Sequence, residues 1–212
     1  MKCALASFLL LAFIITGCST SQKIVGSWAD SDAQSMGPYK KAFVVVLSQN
    51  KDANYYIETQ ISKLLRSKGF QVVQCTEIFP PDFSLTKDFT REQLKKALEE
   101  AGCDAVLSLA LLDTKTVETY HPGYAYTPMS YGYYGSFYGY YNYYYPVVYT
   151  DDYYSVDKSY YLETNLYELA TDKLIWSIQS EATNPKDLDE WFEKYSPLIV
   201  NHLKEKGLNQ KK

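Results

Sequence analysis

Apolar runs and amphipathic stretches alternate along the middle of the chain, and this alternation limits the possible folds more than any other feature. The run 42–47 is continuous and rich in valine, which is typical of a strand buried on both faces. Runs 70–75 and 104–112 are similar. Amphipathic helices are predicted between the runs. The order strand, helix, strand, helix, strand therefore predicts right-handed crossovers and a parallel sheet.

Capping residues mark the ends of the two predicted helices. Asp52 is expected to cap the first helix, and Gly69 supplies the left-handed residue that ends it. Thr90 and Gln93 have the spacing of a capping box at the start of the second helix. This second helix is expected to end at Gly102.

The pattern changes in the last third of the chain. Residues 158–169 and 173–181 alternate with a period of two on either side of a short polar turn, which predicts a β-hairpin. Leucine, tryptophan and isoleucine point to one side of the second strand. Ser177, Gln179 and Glu181 point to the other side, which we expect to be wet or partly covered.

A C-terminal helix is predicted after a cap at Asn184, with Trp191 and Tyr195 on its apolar stripe and a kink or break at Pro197. Together these elements predict an α/β fold with a mixed sheet of about five strands in two or three layers. The parallel β-α-β-α-β core is followed by the hairpin and the helix. One domain, residues 39–208, is expected to contain them all.

The N-terminus has the pattern of a bacterial secretion signal. Residues 1–17 contain one lysine and an apolar run that is too short to span a bilayer as a helix. Two small residues precede Cys18, so we expect cleavage there and acylation of Cys18. The alternative is an ordinary signal with an incidental cysteine. Residues 18–38 are then expected to form a lipidated tether, with Trp28 docked on the domain.

The charge balance and the cysteines restrict the partners and the chemistry. The chain has 21 Lys and Arg against 25 Asp and Glu, which argues against a nucleic-acid partner. Membrane attachment would then come from acyl chains rather than from a basic patch. Cys75 and Cys103 are expected to be buried thiols, because they fall at opposite edges of the predicted sheet and out of reach of each other.

Residues 120–157 form a Tyr/Gly-rich low-complexity insertion, and 17 of the 22 tyrosines lie between residues 120 and 161. The insertion is far longer than an ordinary connecting loop. Tyrosine rings can cover a sheet, stack on peptides or sugars, or lie at a membrane interface. The candidate interaction residues are Tyr124, Tyr126, Tyr131, Tyr133, Tyr134, Tyr138, Tyr140, Tyr141, Tyr143, Tyr144 and Tyr145.

The sequence contains no recognisable catalytic or metal-binding signature. The only histidines are His121 and His202, and no zinc spacing or calcium loop is present, so no metal or cofactor is predicted. Three Ser-x-x-Lys matches are about what chance gives, and their companion motifs are missing. We therefore predict a protein that is not an enzyme. The alternative is a small hydrolase using Glu77, Asp113 and His121 near the carboxyl ends of the strands.

Several motifs resemble a widespread set of bacterial lipoproteins with no assigned activity. The shared elements are the lipobox cysteine, Ser27-Trp28-x-Asp30, Lys40-Lys41, Ala101-Gly102-x-Asp104, the Tyr/Gly-rich segment and Leu162-Glu163-Thr164-Asn165 leading to Lys173-Leu174-Ile175-Trp176. The element order is distantly similar to the periplasmic domains of the curli-secretion lipoprotein and of penicillin-binding-protein activator lipoproteins, and to the amino-terminal domain of TolB. Those domains are interaction modules, so the resemblance implies a location and a fold but no catalytic residue.

These observations predict a lipid-anchored cell-envelope protein with a non-catalytic adaptor role. The expected partners are the membrane, through acyl groups on Cys18, and an envelope protein or the cell-wall glycan. Ser19 stands where lipoproteins retained in the inner membrane commonly have Asp. By that resemblance, the outer membrane is expected, with the domain facing the periplasm. A further alternative is a structural, self-associating role for the Tyr/Gly-rich segment.

Overall fold

The computed structural model describes residues 21–32, 39–79, 90–117, 135–141 and 157–208. They form a mixed α/β fold around one open six-stranded sheet. The strands are β1 Ser21–Ala29, β2 Lys41–Leu47, β3 Gln71–Gln74, β4 Ala105–Val117, β5 Asp157–Glu168 and β6 Lys173–Thr183. The helices are α1 Lys51–Ser67, α2 Cys75–Ile78, α3 Arg91–Glu100, the single turn α4 at 137–141 and α5 Leu188–Glu205.

The sheet order is β1-β6-β5-β4-β2-β3. β2 pairs in parallel with both β3 and β4, whereas β4, β5, β6 and β1 pair antiparallel in that order. The predicted α/β class, the parallel core and the hairpin are therefore confirmed. Valine and leucine runs fill the parallel strands because both of their faces are covered.

The sixth strand, β1, corrects the predicted tether. Residues 18–38 were expected to be a polar linker, but Ser21–Ala29 pairs with β6 from Ser21 opposite Thr183 to Ala29 opposite Trp176. The reason is that an edge strand needs only one buried side, and exposed side chains alternate with half-buried ones along β1. Trp28 packs against the core, as predicted.

Helices cover both faces of the sheet, which gives three layers. α1 and α5 pack on what we call the first face, with Ile57 and Ile61 of α1 and the stacked rings of Trp191 and Tyr195 of α5 in one core. The second face is covered by α2, α3 and α4, whose buried side chains include Leu98. Within the described residues, no helix is both long enough and apolar enough to cross a bilayer.

The helix ends agree only in part with the predicted caps. The capping box of Thr90 and Gln93 is formed, and Gly69 has a φ of 92° after α1. However, α1 is capped by Asn50, which accepts a hydrogen bond from the backbone N–H of Ala53 at 3.0 Å, and not by Asp52. Neighbouring polar residues have similar capping propensities, so the point where the backbone leaves the helix decides between them.

The last helix differs from its prediction at two points. Its cap is Asp187, which accepts from the backbone N–H of Glu190 at 2.8 Å, and not Asn184. Asn184 has a φ of 48° and instead accepts from the N–H of Lys158 at 2.7 Å. Of the kink or break predicted at Pro197, the break does not occur: the helix continues through the proline, because its apolar stripe is held against the sheet on both sides of it.

Candidate functional site

Four strand ends meet at one end of the sheet. Ser21 of β1 and Ser159 of β5 are both paired with Thr183 of β6, and Ser159 is also paired with Lys115 of β4. The carboxyl ends of the parallel strands also point toward this end of the sheet. We call this end the anchor end, because Ser21 follows the predicted lipidation site, Cys18, by three residues. Cys18 itself lies outside the described residues.

The Tyr/Gly-rich insertion leaves and rejoins the sheet at the anchor end. β4 ends at Val117 and β5 begins at Asp157, and these two residues are paired. Eight of the eleven candidate tyrosines lie outside the described residues, namely Tyr124, Tyr126, Tyr131, Tyr133, Tyr134, Tyr143, Tyr144 and Tyr145. His121 also lies outside them.

The three described tyrosines of the insertion, Tyr138, Tyr140 and Tyr141, belong to α4. Tyr138 and Tyr140 are buried in the core of the second face, and Tyr141 packs against that core. The neighbouring Phe137 stacks edge-on to Tyr167 of β5, with ring centroids 5.4 Å apart. Tyr138 and Tyr140 therefore cover the sheet and do not present their rings to a partner.

α4 docks at the end of the sheet opposite to the anchor end. The carboxylate of Asp172, in the turn between β5 and β6, accepts a hydrogen bond from the backbone N–H of Phe137 at 3.2 Å. Asp172 also pairs with Arg91 at 3.0 Å, and the Arg91 guanidinium lies 5.0 Å from the centre of the Tyr138 ring. The insertion is thus fixed at its middle as well as at its two ends.

Buried polar side chains lie on the second face between α4 and the anchor end. The fully buried carboxylate of Glu163 accepts hydrogen bonds from the side-chain amides of Asn165 and Gln179, each at 2.9 Å. Ser177 and Gln179 were expected to be wet or partly covered, but both are buried. This expectation was wrong because β6 lies inside the sheet, between β1 and β5, on a face that is covered.

Charged groups continue this layer toward the anchor end. The Tyr161 hydroxyl donates to Glu181 at 3.3 Å, and Glu181 pairs with Lys23 of β1 at 3.0 Å. The Lys115 ammonium lies 5.1 Å from the centre of the Tyr161 ring. Burial raises the pKa of Tyr161, and the carboxylate of Glu181 raises it further. This end of the sheet therefore offers carboxylate, ammonium and phenol groups for polar recognition.

Of the three residues of the hydrolase alternative, Glu77 and Asp113 are among the described residues, and the structure does not bring these two together. Glu77 of α2 is half-exposed and pairs with Arg66 at 3.2 Å. Asp113 lies on β4, whereas α2 directly follows β3. Because β2 lies between β4 and β3, the two strands are about 10 Å apart. In the described part of the chain, no three His, Cys, Asp or Glu side chains cluster in a way that could hold a metal ion.

The two thiols are free and buried, as predicted. Cys75 begins α2 and Cys103 precedes β4. Burial raises the pKa of both thiols, and for Cys75 the carboxylate of Glu58 adds to the effect. A nucleophilic cysteine needs a lowered pKa, so these thiols belong to the core and not to a reactive centre.

Sequence reasoning missed a buried carboxylate on α1. Glu58 is 3% exposed and accepts a hydrogen bond from the backbone N–H of Val46 at 3.1 Å. The pairing of β2 with β3 ends at Val44, so Glu58 accepts from an N–H of β2 that lies beyond the last residue paired with β3. Burial raises the pKa of Glu58 to about 7, against the opposing effect of the Val46 and Thr76 N–H groups. The signal in the sequence was its position next to Ile57 on the buried stripe.

No family model matches the chain, and no curated protein matches it in sequence. Among solved structures, two PelC dodecamers from Paraburkholderia phytofirmans are similar, one of them a leucine-to-methionine variant. The variant is 14% identical to this chain, with a TM-score of 0.43. The other PelC structure is 15% identical, with a TM-score of 0.41. Both alignments cover 91% of this chain and 100% of the PelC chain. Lipoprotein GNA1162 from Neisseria meningitidis has 14% identity and a TM-score of 0.40, over 76% and 99% of the two chains. At these identities and TM-scores, the likeness gives no information about activity, partner or assembly.

Proposed function

We propose that this protein is a lipid-anchored component of the bacterial cell envelope with a non-catalytic adaptor role. One observation supports the proposal most. Only Ser19 and Thr20 stand between the predicted acylated Cys18 and β1, and the three steps from Cys18 to Ser21 reach about 10 Å at full extension. Lipidation would therefore hold the anchor end of the sheet against the bilayer, in place of the long tether that composition alone favoured.

The short connection also suggests which partner the adaptor meets. Both ends of the Tyr/Gly-rich insertion join the sheet at the anchor end, beside Lys23 and Glu181. We propose that the partner is an envelope protein at the membrane surface, and that the cell-wall glycan, which lies farther from the bilayer, is the second choice. Aromatic rings with polar tips suit such an interface. The outer membrane and its periplasmic side are the proposed location.

Lipidation is tested by substitution of Cys18 in the full chain. We expect Cys18→Ala to abolish incorporation of labelled palmitate and to shift the protein out of the membrane fraction. The matched control is Cys3→Ala, which removes the other N-terminal cysteine and should change neither readout. Recovery of unacylated Cys18→Ala protein in the membrane fraction, at the level of the unsubstituted protein, would reject the anchor.

The adaptor role is tested by cross-linking in intact cells. Deletion of the whole insertion would remove Phe137 and Tyr140 from the core, so a subtler change is needed. We expect serine at Tyr143, Tyr144 and Tyr145 together to leave the fold intact and to weaken cross-links to an envelope protein. Tyr55→Ser is the control, because Tyr55 is exposed on α1, far from the insertion in sequence. Equal cross-linking by all three proteins contradicts a contact through these tyrosines.

A further inference from the structure

A cavity of about 740 Å³ opens on the first face of the sheet, between the C-terminal halves of α1 and α5. Its floor is formed by the first residues of β2 and β4 and by the end of β5. Its apolar lining includes Ala42, Leu65, Phe70, Leu166, Leu203 and Leu208. The volume lies in the range of sites that enclose a small organic molecule.

The charged residues that line the cavity, among those that the structure describes, are all positive. Lys68, at the end of α1, and Lys204, near the end of α5, are both exposed, and they are the only charged residues among those that line the cavity. An apolar interior with ammonium groups at its rim complements a molecule that has a long apolar chain and an anionic head. Burial of each methylene group stabilises such a complex by about the same increment as in membrane anchoring.

We propose that this cavity binds a single-chain anionic amphiphile, of the class of long-chain fatty acids. The hydrocarbon chain occupies the space between α1 and α5, and the carboxylate lies at Lys68 and Lys204. Binding of this kind would add a ligand to a protein whose anchoring and adaptor roles do not require one.

The occupant is not the protein's own lipid. The cavity floor at Leu166 is level with Trp176 and Ala29, the last residue of β1. Ser21 begins that strand at the anchor end, so eight steps along β1 place the cavity about 27 Å from it. The acyl groups expected on Cys18 would insert in a bilayer at the anchor end, the opposite end of the sheet. The ligand must therefore come from a separate molecule.

The proposal is tested with a palmitic acid analogue that carries a diazirine and an alkyne, added to cells that produce the full chain. After irradiation, we expect light-dependent cross-links in peptides of α1 and α5 that line the cavity. Attachment of the analogue to Cys18 needs no light, and Cys18→Ala protein, which cannot carry the attached analogue, should give the same light-dependent cross-links. Light-dependent cross-links that are absent, or that lie only outside the cavity-lining peptides, overturn the proposal. The Cys18 readout is independent, so failure here leaves the anchor proposal standing.

A matched pair of variants tests the position of the chain. Val200 lines the cavity and Asn201, the next residue, is exposed and does not. Val200→Trp should reduce cross-linking about tenfold, whereas Asn201→Trp should leave it unchanged. Thermal unfolding followed by circular dichroism checks that both proteins fold. Cross-linking by folded Val200→Trp at the level of the unsubstituted protein contradicts the site.

The anionic head is tested without altering the core. The exposed pair Lys68→Glu and Lys204→Glu should lower cross-linking by the acid about tenfold through charge repulsion. The corresponding diazirine alcohol should label the unsubstituted protein less than the acid does, and the double variant should label equally with both probes. Equal labelling of the unsubstituted protein by acid and alcohol rejects anion recognition.

Discussion

Asp104 joins two of the sequence motifs that the resemblance singled out. Its carboxylate accepts hydrogen bonds from the backbone N–H groups of Lys40 at 2.7 Å and Lys41 at 2.9 Å. The Lys41 ammonium in turn donates to the carbonyl of Ala101 at 2.6 Å. The start of β2 is thereby fastened to the start of β4, which sets the register of the parallel pair.

Replacement of Asp104 by alanine should lower the free energy of unfolding by about 1–3 kcal/mol, because two charge-assisted hydrogen bonds to N–H groups are lost. Urea denaturation measures this. Glu100→Ala is the control, since Glu100 makes an exposed pair with Lys96 at 3.7 Å, and the substitution should change stability by less than about 0.5 kcal/mol. Equal stability of the two variants would show that Asp104 does not fasten the strands.

Glu58 should make stability depend on pH. Burial raises its pKa from 4.5 to about 7, so the folded state binds the proton more tightly than the unfolded state does. Stability should therefore fall as the pH rises through this interval, by up to about 3 kcal/mol in total, and show no further contribution from Glu58 above it. In Glu58→Gln this component should vanish from denaturation curves measured across the interval. A pH profile identical to that of the unsubstituted protein would refute the shifted pKa.

Single residues were predictable where one chemical option was far better than its neighbours. Glycine tolerates a positive φ, so Gly69 and Gly102 could be identified as helix ends. The capping box was predictable because both of its members are specified by spacing. Asp52 failed as a cap because Asn50 competes with it at nearly equal local free energy.

At the scale of elements, β1 depends on a glycine where two strands approach closely. A Cβ atom on Gly26 would lie 3.0 Å from Oε1 of Gln179, whose amide is already bonded to Glu163. That hydrogen bond restrains the side chain of Gln179, so a shift away from an added Cβ would strain it. Gly26 therefore lets β1 pair beside the buried polar layer.

Gly26→Val should destabilise the protein by about 1–3 kcal/mol, because the added atoms crowd Gln179. Chemical denaturation measures the change. Ser27→Val places the same side chain at an exposed position of the same strand and should be nearly neutral. If both variants had the same stability, crowding against Gln179 would not be the reason for glycine at position 26.

Strongly patterned elements were predictable, and weakly patterned ones were not. The parallel strands carry long apolar runs, and the hairpin carries strict alternation around its turn. β1 has few apolar residues, and a bulge divides them, with Ile24 against the first face and Trp28 against the second. Composition alone therefore made β1 resemble a linker. Its pairing depends on the edge of β6 that is not paired with β5, and only the tertiary structure shows that edge.

On the scale of the whole molecule, the two ends of the sheet have different surroundings. Strand register places Ser21 and both ends of the insertion at the anchor end. The apolar cavity, α4 and the turn at Asp172 lie at the opposite end. In the proposed arrangement, the first end faces the bilayer and the second faces away from it.

This arrangement predicts the depth of labels in vesicles that contain the acylated protein. A fluorophore on Lys115→Cys, at the anchor end, should be quenched by headgroup-labelled lipid. The same fluorophore on Lys173→Cys, which begins β6 at the other end, should be quenched much less. The native thiols are buried and should not react. Equal quenching at the two sites would mean that the domain does not rest on its anchor end.

The sequence by itself determined the class of the fold, the parallel core and the hairpin, because these depend on periodic burial that the residue pattern records directly. It also contained the secretion-signal pattern and the acidic balance. Only the tertiary structure decided that residues 21–29 form an edge strand, that Glu163 and Gln179 are buried together, and that a cavity lies between α1 and α5. Each of these depends on residues far apart in the chain, whose distances are fixed by packing and not by local preference.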